Sequence, residues 1–334
     1  MLIIYTGSGI RMTTSLFSVT RDQSKHENHE MIIVGSGPAG LTAGIYAVRG
    51  GADVILIGGY SSGGQLMLTT EVENYPGFPE PILGPELMKR MRMQVERLGL
   101  KIIDRDVTQI NLKTRPFQVE VEDATYSADS LILAMGASAR ELNLPSEQRL
   151  KGKGVSYCAV CDGAFFKGSD VTVIGGGDTA VEDAVYLSKI AKTVTVIHRR
   201  DKLRAQAILQ KQAFSIPNIK FVWNSEVVDI VGEKKVDGIK IKNKISGSET
   251  TLNCSAVFVD IGHIPNTSLV EGQIELTSEK YIKLSGETST SVDGVFAAGD
   301  VADHLYRQAV TAAGSGAKAA LDALRYLQKI KGHP

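Results

Sequence analysis

Two cysteines three positions apart, in the run Tyr157-Cys158-Ala159-Val160-Cys161-Asp162, are the residues of this chain best suited to covalent chemistry. The turn between Cys158 and Cys161 can bring both sulfurs within bonding distance, so a reversible dithiol–disulfide couple is one reading. Metal ligation is a second, and an inert buried pair is a third. A tetrahedral structural zinc needs four ligands. The third cysteine, Cys254, lies far off in a strand-like run, and no histidine stands at finger spacing, so no metal site is expected. Directly behind the pair is Asp162, placed either to exchange a proton with a thiol or to cap a helix.

The elements that must position this pair are read from the rest of the chain. Its 334 residues, 43% of them hydrophobic, suggest about two domains with well-formed cores. Lys+Arg and Asp+Glu are both 37, so no basic face is offered to nucleic acid or to an anionic membrane. The uncharged span Met31 to Val48 approaches membrane-helix length. It contains Gly35, Gly37, Pro38, Gly40 and Gly44, however, and reads as strand, turn and helix. Three cysteines make no disulfide framework, and a Cys-x-x-Cys near a βαβ pattern fits a reducing compartment, the cytoplasm. Residues 1–29 carry no apolar signal core and are expected to be a disordered extension.

Met31-Ile32-Ile33-Val34 is a buried-strand run, and Gly35-Ser36-Gly37-Pro38-Ala39-Gly40 opens a helix ending near Arg49. That is a dinucleotide fingerprint in its required context: glycines allow the tight turn, the backbone's approach to a pyrophosphate and close helix–sheet packing. A second strand ends at Ile57, but Gly58 stands where an acid would hold a ribose hydroxyl. Glycine-rich loops around Gly59, Gly64 and Gln65, and a turn after Asn74, suit the wrapping of a ligand. Val171 to Ile174 followed by Gly175-Gly176-Gly177-Asp178-Thr179-Ala180 repeats the arrangement. The next strand ends in His198-Arg199-Arg200, with Arg204 beyond. Arginines there grip a 2′-phosphate bidentately, which favours NADPH over NADH; a solvated basic turn is the plainer alternative. Residues 219–259 read as a small sheet layer, with Cys254 a buried small hydrophobe. Near the C-terminus a strand delivers Gly299 and Asp300 to a ligand edge, and a helix opens around Arg307-Gln308-Ala309.

In order and spacing, these motifs resemble those of low-molecular-weight thioredoxin reductases over nearly the whole span from Met31 to Leu327. The Cys pair just ahead of the second fingerprint is the most telling of them. The resemblance implies an α/β fold of two Rossmann-like dinucleotide-binding domains, the NADPH domain inserted into the FAD domain. FAD would lie on residues 30–143 plus 270–330 and NADPH on residues 144–269. The implied FAD contacts are Gly35, Gly37, Gly40, Gly59, Gly64, Gln65, Asn74, Gly299, Asp300, Arg307, Gln308 and Ala309. The implied NADPH contacts are Gly175, Gly177, Asp178, Thr179, Ala180, His198, Arg199, Arg200 and Arg204. Catalysis would fall to Cys158, Cys161 and Asp162, with electrons passing from NADPH through FAD and the disulfide to thioredoxin. A homodimer is implied, as is rotation of the NADPH domain about linkers near Leu142–Pro145 and Gly262–Asn266. Same-fold alternatives are a ferredoxin-linked or peroxiredoxin-reducing enzyme, and a non-catalytic redox sensor.

Overall fold

The computed structural model describes residues 25–69, 71–122 and 124–332. Strand β1 (Lys25–Val34), helix α1 (Pro38–Arg49) and strand β2 (Val54–Ile57) make the first βαβ unit, with Met31 opposite Val54 and Val34 opposite Ile57. Pro38, with no amide hydrogen to lose and φ preset, starts α1; Arg49 in its last turn complements the negative end of the helix. Met31 to Val34 and all of β2 are buried on both faces, the pattern of a parallel sheet covered on each side.

A short pair, β3 (Glu71–Val72) and β4 (Ile82–Leu83), leads into α2 (Gly84–Arg97) and β5 (Lys101–Ile103). Strands β6 (Gln109–Asn111), β7 (Phe117–Val121) and β8 (Ala124–Leu133) then form an antiparallel meander, and β8 also runs parallel to β1. The resulting order is β5-β2-β1-β8-β7-β6.

Strand β1 begins at Lys25, so the expected boundary of the N-terminal extension at residue 29 is moved. Lys25 to His29 pair in register with Ala124 to Ala128 of β8, and Glu30 accepts the Asp53 amide at 3.0 Å. Hydrogen bonding to β8 overrides the polar composition that suggested disorder. The expectation for residues 1–24 lies outside the described residues.

The chain crosses to a second body through β9 (Ala137–Ala139) and α3 (Pro145–Leu150), then β10 (Val155–Ser156) and the one-turn α4 (Ala159–Asp162). There β11 (Asp170–Gly175), α5 (Asp178–Leu187), β12 (Thr193–Ile197), α6 (Ala207–Phe214) and β13 (Ile219–Val222) repeat the parallel pattern. Residues 219–259 do not form one layer. Strands β14 (Ser225–Val231), β15 (Gly238–Asn243) and β16 (Glu249–Asn253) make an antiparallel sheet, whereas β13 and β17 (Ala256–Asp260) join the parallel sheet β10-β17-β11-β12-β13. Cys254 is buried between the two sheets, as expected of a small hydrophobe.

The return crossing is β18 (His263–Pro265), antiparallel to β9. Strand β19 (Val295–Ala297) then adds to β8, and α7 (Ala309–Ile330) packs on α1. Helices α1, α2 and α7 cover one face of the first sheet through Leu41, Leu87, Val95, Ala319 and Leu327. The other face buries Ile32, Ile55, Phe117 and Leu131.

Packing of α1 on the sheet depends on Gly40, because a Cβ there would stand 1.8 Å from the Gly35 carbonyl oxygen. Gly40→Ala must lift the helix from the turn, at a cost of about 1–3 kcal/mol. Its thermal midpoint is expected to fall by several degrees, measured by circular dichroism; an unchanged midpoint would contradict this packing.

Candidate functional site

A cavity of about 1230 Å³ opens at the carboxyl ends of β1 and β8 and reaches the redox turn of the second body. Cys158 and Cys161 are joined by a disulfide, S–S 2.09 Å, and both line the cavity. The turn is built by α4, whose N-cap is Cys158: its Sγ accepts the Cys161 amide at 3.2 Å. The Ser156 hydroxyl accepts the Cys158 amide at 3.1 Å. Among the described residues, no donor reaches Asp162 Oδ1, which is buried. Burial raises this carboxyl above its ordinary range, and a hydrogen bond from Ser156 partly offsets the rise.

The same cavity is lined by Gly35, Gly37, Gly64, Gln65, Asn74, Gly299, Asp300, Arg307, Gln308 and Ala309. Asn74 Nδ2 donates to Gln308 Oε1 at 3.2 Å, which ties the loop before α2 to the start of α7. Two expected contacts lie off the wall. Gly40 sits beneath the turn against Gly35, and Gly59 turns toward Asp106 rather than the cavity.

The second fingerprint faces elsewhere. Of its expected ligand residues only Thr179 lines the cavity; Gly175, Gly177, Asp178, Ala180, Arg199, Arg200 and Arg204 do not. The three arginines are exposed. Asp178 is already engaged: its Oδ1 accepts the Gln206 amide at 2.7 Å, which pulls the arginine-bearing loop against α5. His198 is 6% exposed, and a Cβ at Gly176 would stand 2.3 Å from its ring. The imidazole therefore props the glycine turn from below, and burial pushes its pKa down.

Several cavity residues carry no sequence signal. Arg92 on α2 pairs with Asp104 at 2.6 Å and reaches Ser62 at 3.2 Å. Glu182, Asp183 and Tyr186 of α5 also face the cavity. Ser36 Oγ donates to the Gly58 carbonyl at 2.8 Å and accepts the Gly63 amide at 3.1 Å, so the position lacking an acid is held by a hydroxyl bridge.

A profile described as pyridine nucleotide-disulphide oxidoreductase matches residues 29–316. The chain belongs to this family. It is 50% identical over 300 residues to the thioredoxin reductase of Mycolicibacterium smegmatis, covering 90% of this chain and 96% of that protein. Its structure is similar to that of thioredoxin reductase from Giardia duodenalis, with 46% identity, TM-score 0.86, and coverage of 90% of this chain and 99% of that one. Against the thioredoxin reductase of Lactococcus lactis in its FR conformation the identity is 40% and the TM-score 0.62, at 90% and 99% coverage.

For this oxidoreductase the cavity fits a dinucleotide flavin. A Cβ at Gly37 would meet no atom within 4 Å, so the turn presents bare backbone to the cavity at the start of α1. Asp300 lies near the same turn: a Cβ at the neighbouring Gly299 would stand 2.9 Å from the Ala39 methyl of α1. The Asp300 carboxyl is pushed up to about 6, chiefly by burial and further by Asp303, with Arg307 opposing. A carboxyl whose pKa is raised in the folded state contributes stability below its ordinary pKa and loses that contribution as pH rises to about 6. Asp300→Asn should remove this loss, worth up to about 3 kcal/mol. Thermal midpoints of cofactor-stripped protein from pH 4 to pH 7 are expected to fall less steeply in the variant than in the parent; parallel curves would refute the assignment.

Proposed function

We propose that this chain is an NADPH-dependent thioredoxin reductase, with FAD on the first fingerprint and NADPH on the second. The observation that carries the reading is the shared cavity: the Cys158–Cys161 disulfide and the first fingerprint line it together, while the arginine-marked fingerprint lies outside. Bound FAD supplies two-electron chemistry that links a hydride donor to a disulfide. The wall from Gly35 and Gly37 to Gln308 and Ala309 would hold it. Arg199, Arg200 and Arg204 would receive the 2′-phosphate of NADPH, and Asp178 and His198 support the loops that carry them.

Reduction of the disulfide consumes two electrons and two protons. After reduction Cys158 Sγ still faces the Cys161 amide, and an N–H donor aimed at sulfur favours the thiolate. Cys158 is therefore the thiol that attacks the disulfide of thioredoxin, forming a mixed disulfide. Cys161 then attacks Cys158, releases reduced thioredoxin and restores the pair. Asp162, its carboxyl raised above the ordinary range by burial, exchanges the proton.

One arrangement of the two bodies serves the disulfide but not the hydride donor, so the second body turns about its linkers. The TM-score of 0.62 at 40% identity, against 0.86 at 46%, supports this: a rigid turn of one body lowers the overall score without altering either domain. The turning unit is residues 144–269; residues 25–143 with 270–330 stay as the flavin domain.

We place the protein in the cytoplasm as a homodimer. Among the described residues no helix is long and apolar enough to cross a membrane. Cys254 is free and buried, its thiol pushed up to about 11 by burial, which suits a reducing setting. Tyr46 on α1 and Leu321 and Ile330 on α7 are exposed apolar side chains on two helices that pack together, and a second copy could cover them. Light scattering should return twice the chain mass of 35.9 kDa; the monomer mass at micromolar protein would rule the dimer out.

Cys161→Ser tests the central reading. Anaerobic NADPH is expected to bleach the flavin of the variant while thioredoxin turnover is lost and a mixed disulfide with thioredoxin accumulates at Cys158. Continued turnover, or flavin that NADPH does not bleach in the parent, would sink the assignment.

A further inference from the structure

The first fingerprint lacks the acid that would receive an adenosine ribose at the end of its second strand, and the packing there leaves no room for one. A Cβ at Gly58 would lie 2.9 Å from the Ser36 Cβ and 3.1 Å from its Oγ, the atom that bridges the Gly58 carbonyl and the Gly63 amide. Ser36 therefore occupies the space that a side chain at residue 58 would need. A dinucleotide on this fingerprint still brings its ribose hydroxyls to the same place, and hydroxyls withdrawn from water need acceptors.

An acid stands on the neighbouring strand. Strands β2 and β5 run parallel with Ile57 opposite Ile103, and the Gly58 amide donates to the Ile103 carbonyl at 2.8 Å. Gly58 and Asp104 are thus the residues at which the two strands leave the sheet side by side, and both line the cavity. Arg92 of α2 holds Asp104 in a fork: Nη1 donates to Oδ1 at 2.6 Å and Nη2 to Oδ2 at 2.8 Å. The guanidinium is itself fixed, Nε donating to Glu96 at 2.8 Å and Nη1 also to Ser62 at 3.2 Å. The fork fills two of the four acceptor positions of a carboxylate and leaves two open. It also holds Asp104 below the ordinary carboxylate range, so the group is ionised and can only accept. Asp106, two residues on, is engaged differently: its Oδ1 accepts the Tyr60 amide at 3.0 Å, and it does not line the cavity.

We propose that Asp104, oriented by Arg92, accepts the adenosine ribose hydroxyls of FAD in place of the acid that β2 lacks. An anionic acceptor beside Gly58 suits a free diol and opposes a phosphate at that position. Asp104 thereby sets the first fingerprint apart from the second, where Arg199 and Arg200 stand exposed just beyond the corresponding strand, β12. This assignment rests on FAD occupying the first fingerprint, as proposed above.

Removing the acceptor and the hydroxyls in turn tests it. Cofactor-stripped parent and Asp104→Ala protein are titrated with FAD and with its 2′,3′-dideoxyadenosine analogue, and dissociation constants are read from the change in flavin fluorescence. In the parent, loss of the hydroxyls should weaken binding about tenfold or more. The variant should bind FAD and the analogue alike, within about twofold, each about as weakly as the parent binds the analogue. Glu96→Gln removes an acid that Arg92 holds outside the cavity and should keep the parent's preference. Asp104→Asn, which retains one acceptor oxygen, supplies the second reading if Asp104→Ala does not fold, and its preference should fall at least threefold. A parent that binds both flavins alike, or a folded Asp104 variant that keeps the parent's preference, overturns the role of Asp104 while leaving FAD on the first fingerprint. So does a Glu96→Gln protein that loses as much preference as Asp104→Ala, because the effect would then lie in the placement of α2. A parent that takes up no FAD overturns the FAD reading and the assignment with it.

Discussion

Two short strands, β9 and β18, cross between the bodies side by side, and the placement of the site depends on their pairing. Ala137 opposes Pro265 and Ala139 opposes His263. The ribbon is closed at one end by Arg140 N–H on the Gly262 carbonyl at 2.9 Å, and at the other by the Asn266 amide on Gly136 at 3.0 Å. Two antiparallel strands twist readily but cannot slip by one residue without exposing what they bury. A paired crossing of this kind fixes an axis, and both the redox turn and the glycine turn of β1 lie within reach of it.

Charge is distributed around this axis unevenly. The exposed arginines of the second fingerprint remain in water and keep their hydration. The acids Asp162, Asp183, Asp260 and Asp300 are largely withdrawn from water, and each has its carboxyl raised for that reason. Carboxyls that burial raises in this way are suited to a cavity in which electrons arrive in pairs and protons must follow.

The glycine turns, the Cys pair and the arginine run were legible in sequence because their chemistry is local: a turn, a helix start and two sulfurs lie within a few residues of one another. The parallel strands were legible because they are apolar on both faces. Asp183 was not, since a carboxylate on a helix looks ordinary until the fold turns it toward the cavity. His198 and Asp178 are expected ligand contacts from their position; in the fold His198 also props a turn and Asp178 also accepts a loop amide. Spacing names the neighbourhood of a ligand without saying which way a side chain points. The split of residues 219–259 between two sheets was hidden for a similar reason, because β13 and β17 find their partners through long-range pairing.

The early start of β1 sets a practical limit on how the chain can be trimmed. Met31 looks like a natural place to begin a shortened version, since the fingerprint strand starts there. Cutting at that point would strip Lys25 to Glu30 from β8 and leave the backbone of Ala124 to Ala128 without its partner on that side. An uncovered strand edge of that length is a template for pairing with another molecule. A protein shortened to Met31 would keep every cofactor motif and still be prone to aggregate.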